Sequence, residues 1–309
     1  MSLVNVAGTD EQTGRMKHMV ETFCLRLPVL MELTKPRIVT MVLVAAGVGF
    51  LAGSHLSISP LRFILTMTGT CCFAASASVL NQVMEQSRDA LMKRTSKRPL
   101  PSGRISRREA MIWGYFLLVF GTLLLLSGGL VEALKWAFVT WLLYLGAYTP
   151  LKPVSSINTI VGAIPGALPP VIGWAGATGS VGLEAASLFL ILFLWQFPHF
   201  LAIAWMYRDD YRRGGYRMIT ADDSTGYLTA LHSVAYAAVL VPVSLLPFQI
   251  RLAGTIYFLA ALLLSLYYLV KSIEFLRDRN DRTARRMLFA SLWYLPLVYL
   301  FLILNPLPA

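Results

Sequence analysis

Asn81-Gln-Val-Met-Glu85-Gln-Ser-Arg-Asp89-Ala-Leu-Met-Lys93-Arg94-Thr-Ser-Lys97-Arg98-Pro99-Leu-Pro-Ser-Gly103 continues an apolar run, Phe63 to Met84, that carries no charged residue. Asn81, Glu85 and Asp89 are spaced four apart, so on a helix they share one stripe and drift by only about 40° per step. Two carboxylates and a carboxamide on that stripe offer hard oxygen ligands to a cation such as magnesium. Lys93, Arg94, Lys97 and Arg98 follow within nine residues of Asp89. Acid for a metal next to base for an anion is the combination that holds a diphosphate through magnesium. A solvated helix end at a membrane border would explain the charges but not their common stripe.

The composition sets the solvent. Of 309 residues, 56% are hydrophobic and 14% charged, against roughly 25% charged in soluble domains. Uncharged runs long enough to cross a bilayer recur along the chain, which predicts an all-α polytopic membrane protein. Nine spans are expected, at residues 37–54, 63–84, 110–131, 136–151, 155–177, 185–207, 227–248, 252–270 and 287–304. No linker divides them, so residues 35–309 read as one domain behind a cytoplasmic tail, 1–34. Met16, Met19, Val20, Phe23 and Leu27 give that tail the spacing of an interfacial helix.

Of the 27 Lys and Arg, all but Arg62, Lys135 and Arg251 fall in the tail and in alternate loops. That asymmetry predicts a cytoplasmic N-terminus. It also accounts for most of the +11 formal charge, leaving no reason to invoke nucleic acid. The acidic residues are equally one-sided, with only Glu132 and Glu184 outside. Topology does not require that, so the inner acids call for a functional explanation. Cys24, Cys71 and Cys72 form neither a disulfide framework nor a metal spacing. Asp10, Glu11 and Glu21 argue against an Arg-rich transit peptide, and the tail has no signal-peptide apolar core. The expected location is a bacterial inner membrane rather than a mitochondrial one.

Two later spans carry chemistry. The fifth contains Gly162, Pro165, Gly166, Pro169, Pro170 and Gly173; broken backbone at membrane depth survives only against protein or a polar cavity. The sixth reads Trp195-Gln196-Phe-Pro198-His199 and ends Tyr207-Arg208-Asp209-Asp210-Tyr211. An ionisable side chain inside a span is by default a functional candidate. His199 suits metal binding or proton transfer, and equally a core histidine satisfied by a neighbouring helix. Asp209 and Asp210 are candidates for a second carboxylate site. Basic loop 271–286, with Glu274, Asp278 and Asp281 among its cations, reads as a solvated helical face.

Together these segments resemble the UbiA superfamily of intramembrane prenyltransferases, whose first motif is Asn-x-x-x-Asp-x-x-x-Asp. Asn81…Glu85…Asp89-x-x-Met92-x-Arg94-Thr95-x-x-Arg98-Pro99, Tyr148-Thr149-Pro150-Leu151-Lys152, Asn158-Thr159-x-x-Gly162-Ala163 and Trp195-Gln196-Phe197-Pro198-His199-Phe200 are similar to its haem O synthase branch, the protoheme IX farnesyltransferases. Arg208-x-Asp210-Tyr211 and Gly214-Gly215-Tyr216-x-Met218 continue the likeness.

The resemblance implies nine helices around a central cavity that opens to the cytoplasm. It implies transfer of a farnesyl group from farnesyl diphosphate to a vinyl group of haem b, giving haem O and diphosphate. Asn81, Glu85 and Asp89 would hold magnesium, and Arg94, Lys97, Arg98, Lys152, Arg208, Asp209, Asp210 and Tyr148 would line the substrates. Glu85 stands where the superfamily usually has Asp. Tyr207 and Tyr211 flank adjacent aspartates where most members have an Asp-x-x-x-Asp pair, which leaves one or two magnesium ions open. His199 becomes a reader of haem, by axial ligation, propionate contact or proton transfer. Tyr144, Tyr148, Trp195 and Phe200 offer ring faces to a carbocation. Haem A synthase and oxidase-assembly proteins are the partners that such a product implies. The rivals are a prenyltransferase for a quinone precursor or another tetrapyrrole, and a haem or lipid transporter.

Overall fold

The computed structural model describes residues 26–307 except Leu56 and Met218, and leaves the side chains of Ala221 and Asp222 undescribed. No strand occurs among the described residues, and the chain runs through helices α1 (Pro36–Gly53), α2 (Pro60–Asp89), α3 (Arg107–Ser127), α4 (Val131–Leu142), α5 (Asn158–Ala167), α6 (Pro169–Thr178) and α7 (Leu183–Met206). It continues through α8 (Arg208–Arg213), α9 (Ile219–Asp222), α10 (Tyr227–Val243), α11 (Thr255–Asp278) and α12 (Asp281–Leu304). Eight stretches among the described residues are long and apolar enough to span a membrane, with α5 and α6 counted as one.

The expected fourth crossing is built differently. After α4, residues Leu143–Tyr148 wind as a π-helix and Thr149–Leu151 return to α. The run from 131 to 151 is continuous and about 30 Å long at ordinary helical rise. Its ends lie far apart in the bundle: Lys152 meets Glu85 at one end, while residues 128–131 follow the opposite end of α3. A π turn is an uncommon winding that recurs at functional sites, and this one carries Tyr144 and Tyr148.

The apolar sequence also dictates close helix contacts. Lipid gives apolar helices no hydrophobic reason to associate, so small residues that let backbones approach carry the packing. A Cβ on Gly49 of α1 would collide with the Pro170 carbonyl of α6, and one on Gly173 of α6 with the Ala46 carbonyl of α1. Glycines therefore press these two helices together. The α5–α6 segment is the most interior of the spans, with 67% of its apolar window buried, as its prolines and glycines predict. Tyr257, Tyr268, Phe275 and Tyr294 fill the second half, where α7, α10, α11 and α12 meet.

Helix α2 runs past the apolar run to Asp89, as the shared stripe requires, while two boundaries differ from the sequence expectation. Residues 271–286 are mostly the polar ends of α11 and α12, joined by a tight turn that Asn280 caps. The tail boundary moves as well: Leu30, Leu33 and Thr34 are buried, and Gln82 Nε2 donates to Leu33 O at 2.6 Å. The domain's packing thus begins before residue 35. Of the expected interfacial helix, Met16 through Phe23 lie outside the described residues, and Leu27 is exposed.

The loops sort to two ends. Loop 90–106 and residues 207–217 join Lys152 at one end, where Arg217 N donates to Lys152 O at 3.0 Å and Arg208 pairs with Asp281 at 3.1 Å. At the other, Gly254 N donates to Asn305 O at 2.8 Å, placing the last described residues opposite the basic loops. Reporter fusions are therefore expected to show loops 85–109, 149–155, 208–226 and 271–286 in the cytoplasm and the C-terminus outside. A cytoplasmic C-terminus would require a different number of crossings.

Candidate active site

Asn81, Glu85 and Asp89 lie on the last turns of α2 and are all buried. Carboxylates near a helix C-terminus oppose the helix dipole, and burial adds a desolvation cost, so each needs a cation. Lys152, just past the Thr149–Leu151 turn, donates to Glu85 Oε1 at 2.7 Å. Arg98, from the loop after α2, donates to Asp89 Oδ2 at 2.7 Å. Lys35, one residue before α1, donates to Asn81 Oδ1 at 3.0 Å. Three separate elements thus deliver one cation to each member of the stripe.

The orientation of Asn81 follows from its other partner. Thr149 Oγ1 spends its proton on Tyr144 O at 2.8 Å, so it accepts from Asn81 Nδ2 at 3.1 Å. The carboxamide oxygen is left facing the cations. The π turn is what makes this possible, since it sets Thr149 against the carbonyl five residues back.

Asp89 Oδ1 is buried and has no hydrogen-bond partner. An orphaned carboxylate oxygen is costly inside a protein and marks where a further ligand would sit. This donor set fits magnesium: two carboxylates, one amide oxygen and one unclaimed lone-pair site. No cluster of three or more His, Cys, Asp or Glu exists among the described residues, so the remaining ligands would come from water and substrate.

Lys35 is the contact to the stripe that sequence reasoning missed. Its backbone has φ 54°, a left-handed conformation that a lysine adopts only under constraint. Burial, and after it the charge of Arg98, pulls its ammonium down to about 7. Next to Pro36 at the start of a span, it had looked like one more inner-side cation.

The other candidates divide. Lys152 lies over the Tyr148 ring at 4.4 Å and within 5.9 Å of the Tyr216 ring, so Tyr148 belongs to the cluster. Arg94 does not touch the stripe: it lies 5.5 Å from the Tyr207 ring and 5.6 Å from the Tyr211 ring, tying the first basic loop to the second. Lys97 is exposed and makes no ion pair with the three motif residues. Arg208 reaches Trp205 O at 2.7 Å and Asp281, joining α7 to α12 away from the stripe. Asp209 is exposed and pairs with Arg212 at 3.6 Å. Asp210 pairs with Arg213; burial opposes its charge, but Arg213 and the backbone of Lys93 and Arg94 hold the carboxyl below its usual range. The two adjacent aspartates therefore point to different partners, and this geometry makes Asp210 a clamp on the first basic loop.

His199 forms a second centre. Ser291 Oγ donates to Leu288 O at 2.6 Å, which uses its only proton. His199 Nδ1, 2.7 Å from Ser291 Oγ, must then be the donor, leaving a lone pair on Nε2. Trp195 stacks on the imidazole at 4.8 Å and donates Nε1 to Ser291 O at 2.8 Å. His199 and Leu192 are seven apart and share a face of α7, and Leu192 packs with Ala45, Ala167 and Tyr299 in the bundle interior. Phe200, by contrast, is 47% exposed and turns away from that face. A small pocket lined by Leu51, His55, Leu252, Leu302 and Pro306 lies at the far end of the bundle and holds none of these groups.

The pattern of the UbiA prenyltransferase family matches residues 41–295. The chain belongs to that family. It is 41% identical over 286 residues to protoheme IX farnesyltransferase of Koribacter versatilis, covering 89% of this chain and 92% of that one. With the mitochondrial protoheme IX farnesyltransferase of Arabidopsis thaliana it shares 38% identity over 275 residues, covering 89% and 64%. Among solved folds, a digeranylgeranylglyceryl phosphate synthase superposes with TM-score 0.77 at 20% identity, covering 91% and 98%. A UbiA homologue from Archaeoglobus fulgidus bound to DMAPP and Mg2+ gives 0.64 at 16% identity, covering 88% and 98%. UbiA members and this chain thus share one helical membrane fold.

Proposed function

We propose that this membrane enzyme transfers the farnesyl group of farnesyl diphosphate to a vinyl carbon of haem b, forming haem O and releasing diphosphate. The observation that carries the reaction type is the buried stripe Asn81–Glu85–Asp89 with its three cations. The acceptor assignment rests on relatives such as the Koribacter versatilis enzyme, 41% identical to this chain, and on the Trp195–His199 centre.

Asn81 Oδ1, Glu85 and Asp89 would hold magnesium, which supplies positive charge to the departing diphosphate. Arg98 and Lys152 are placed to shift from carboxylate to diphosphate oxygens, Arg98 in bidentate fashion. Charge developing on the leaving group is then met by donors fixed in advance. The Tyr144 and Tyr148 rings, 5.3 Å apart beside Lys152, can face the allylic cation. The carbon–oxygen bond to diphosphate breaks, the vinyl π electrons form the new carbon–carbon bond, and water adds to the resulting haem-side cation with loss of a proton.

The lone pair on His199 Nε2 defines what that residue can do. It can take the proton from the attacking water or ligate the haem iron. The orientation we assign puts the diphosphate end at the cytoplasmic face of a bacterial inner membrane, with haem A synthase or oxidase-assembly proteins as downstream partners.

Offering haem b and an aromatic quinone precursor together, with farnesyl diphosphate and magnesium, tests the acceptor. Prenylated haem alone is the expected product. Preferential prenylation of the aromatic ring would replace this reading with the wider family's chemistry.

A further inference from the structure

The motif is already neutralised by the chain itself. Glu85 and Asp89 bring two negative charges, Arg98 and Lys152 bring two positive ones, and the Lys35 amine sits beside them, each within 3.0 Å of a motif side chain. Two consequences follow from elementary electrostatics. A bare dication approaching this pocket finds Asp89 Oδ1 open but must share Glu85 and Asp89 with Lys152 and Arg98 and displace Lys35 to reach Asn81 Oδ1. Lys35, once displaced, is left without a partner, at a cost, unless an anion arrives to take it. A diphosphate is that anion, and its oxygens also complete a coordination shell that this chain fills only in part.

We infer that the enzyme takes up magnesium and prenyl diphosphate as a mutually dependent pair, with Lys35 as the counter-ion that yields Asn81 Oδ1 to the metal and turns to the diphosphate. This rests on the metal–diphosphate reading of the stripe and goes beyond it, because a site with free carboxylates would bind the metal first and alone. The strained backbone of Lys35 fits the role. Its left-handed φ of 54° aims the side chain back at α2 from the very start of α1, where an ordinary helical lysine would point outward to the headgroups.

The experiment is a titration of the full-length protein in detergent with Mn2+, read by electron paramagnetic resonance, in the absence and presence of farnesyl thiodiphosphate, whose carbon–sulfur bond ionises slowly. After correction for ion bound by the free analogue, the analogue is expected to raise Mn2+ affinity by at least about tenfold, and Mn2+ to raise analogue affinity by the same factor. Lys35→Met should bind Mn2+ alone more tightly than wild type, bind the analogue alone more weakly, and show a smaller coupling factor. Lys35→Arg should restore most of the coupling. Equal Mn2+ affinity with and without analogue in the wild-type protein, a measurement that needs no variant, would overturn the inference, as would unchanged binding of both ligands in Lys35→Met. Glu85→Gln separates the two levels. If Mn2+ still binds that variant with the analogue present, the metal reading of the stripe fails and this inference with it. If Glu85→Gln loses Mn2+ while the wild type shows no coupling, the metal site stands and only the paired uptake is wrong.

Discussion

Glu85→Gln and Asp89→Asn are each expected to lower farnesyl transfer by about 10²–10³-fold or more, while expression and haem binding stay near normal. Both substitutions keep side-chain volume and remove the charge proposed to hold magnesium. The structural cost is modest, about 1–3 kcal/mol for a weakened bond to a charged partner, because the amide oxygen still accepts from Lys152 or Arg98. Asp89→Asn also removes the lone-pair donor at the orphaned Oδ1, so its deficit should not be rescued by excess metal. Steady-state turnover at several magnesium concentrations checks this. Near-wild-type turnover in either variant, or full activity with divalent ions chelated, would remove the stripe from the reaction.

The second large effect is expected at His199. His199→Phe keeps a ring against Trp195 but loses both nitrogens, and His199→Ala loses the ring as well. Both should fall by about 10²-fold or more in transfer to haem, yet bind farnesyl thiodiphosphate like wild type. The reason is spatial: His199 is held by Ser291 and Trp195, and none of the stripe's hydrogen bonds involves it. A shared defect in the two variants cannot come from packing, which differs between them. An active His199→Phe enzyme would reduce His199 to a space-filling role beside α12.

Much of this was legible in the sequence because it is written in periodicity. Apolar runs gave the membrane class, and four-residue spacing put Asn81, Glu85 and Asp89 on one stripe of α2, where they are. The prolines of 158–178 predicted an interior segment, and α5–α6 is the most buried span. What stayed hidden was set by residues distant in sequence. Lys35 lies 46 residues from Asn81, and its charge has the sign that the cytoplasmic side collects anyway. Thr149 and Ser291 are ordinary polar residues whose value lies in one hydrogen bond each, to Asn81 and to His199. Arg94 and Asp210 are expected at the substrates on charge and proximity to a motif, which do not reveal that each also ties the two basic loops together. The fourth crossing was underestimated in detail for another reason: a π turn leaves no signature in hydropathy.

The central claim is carbon–carbon bond formation between a farnesyl group and haem, and product mass tests it most directly. Purified protein would be incubated with haem b, farnesyl diphosphate and magnesium in ¹⁸O-labelled water, and the extracted haem weighed by mass spectrometry. The account predicts a haem heavier by one farnesyl group and one hydroxyl, with the hydroxyl oxygen labelled and diphosphate released in equal amount. Unmodified haem with intact farnesyl diphosphate, from protein that moves either one across a vesicle membrane, would contradict it and favour a transporter.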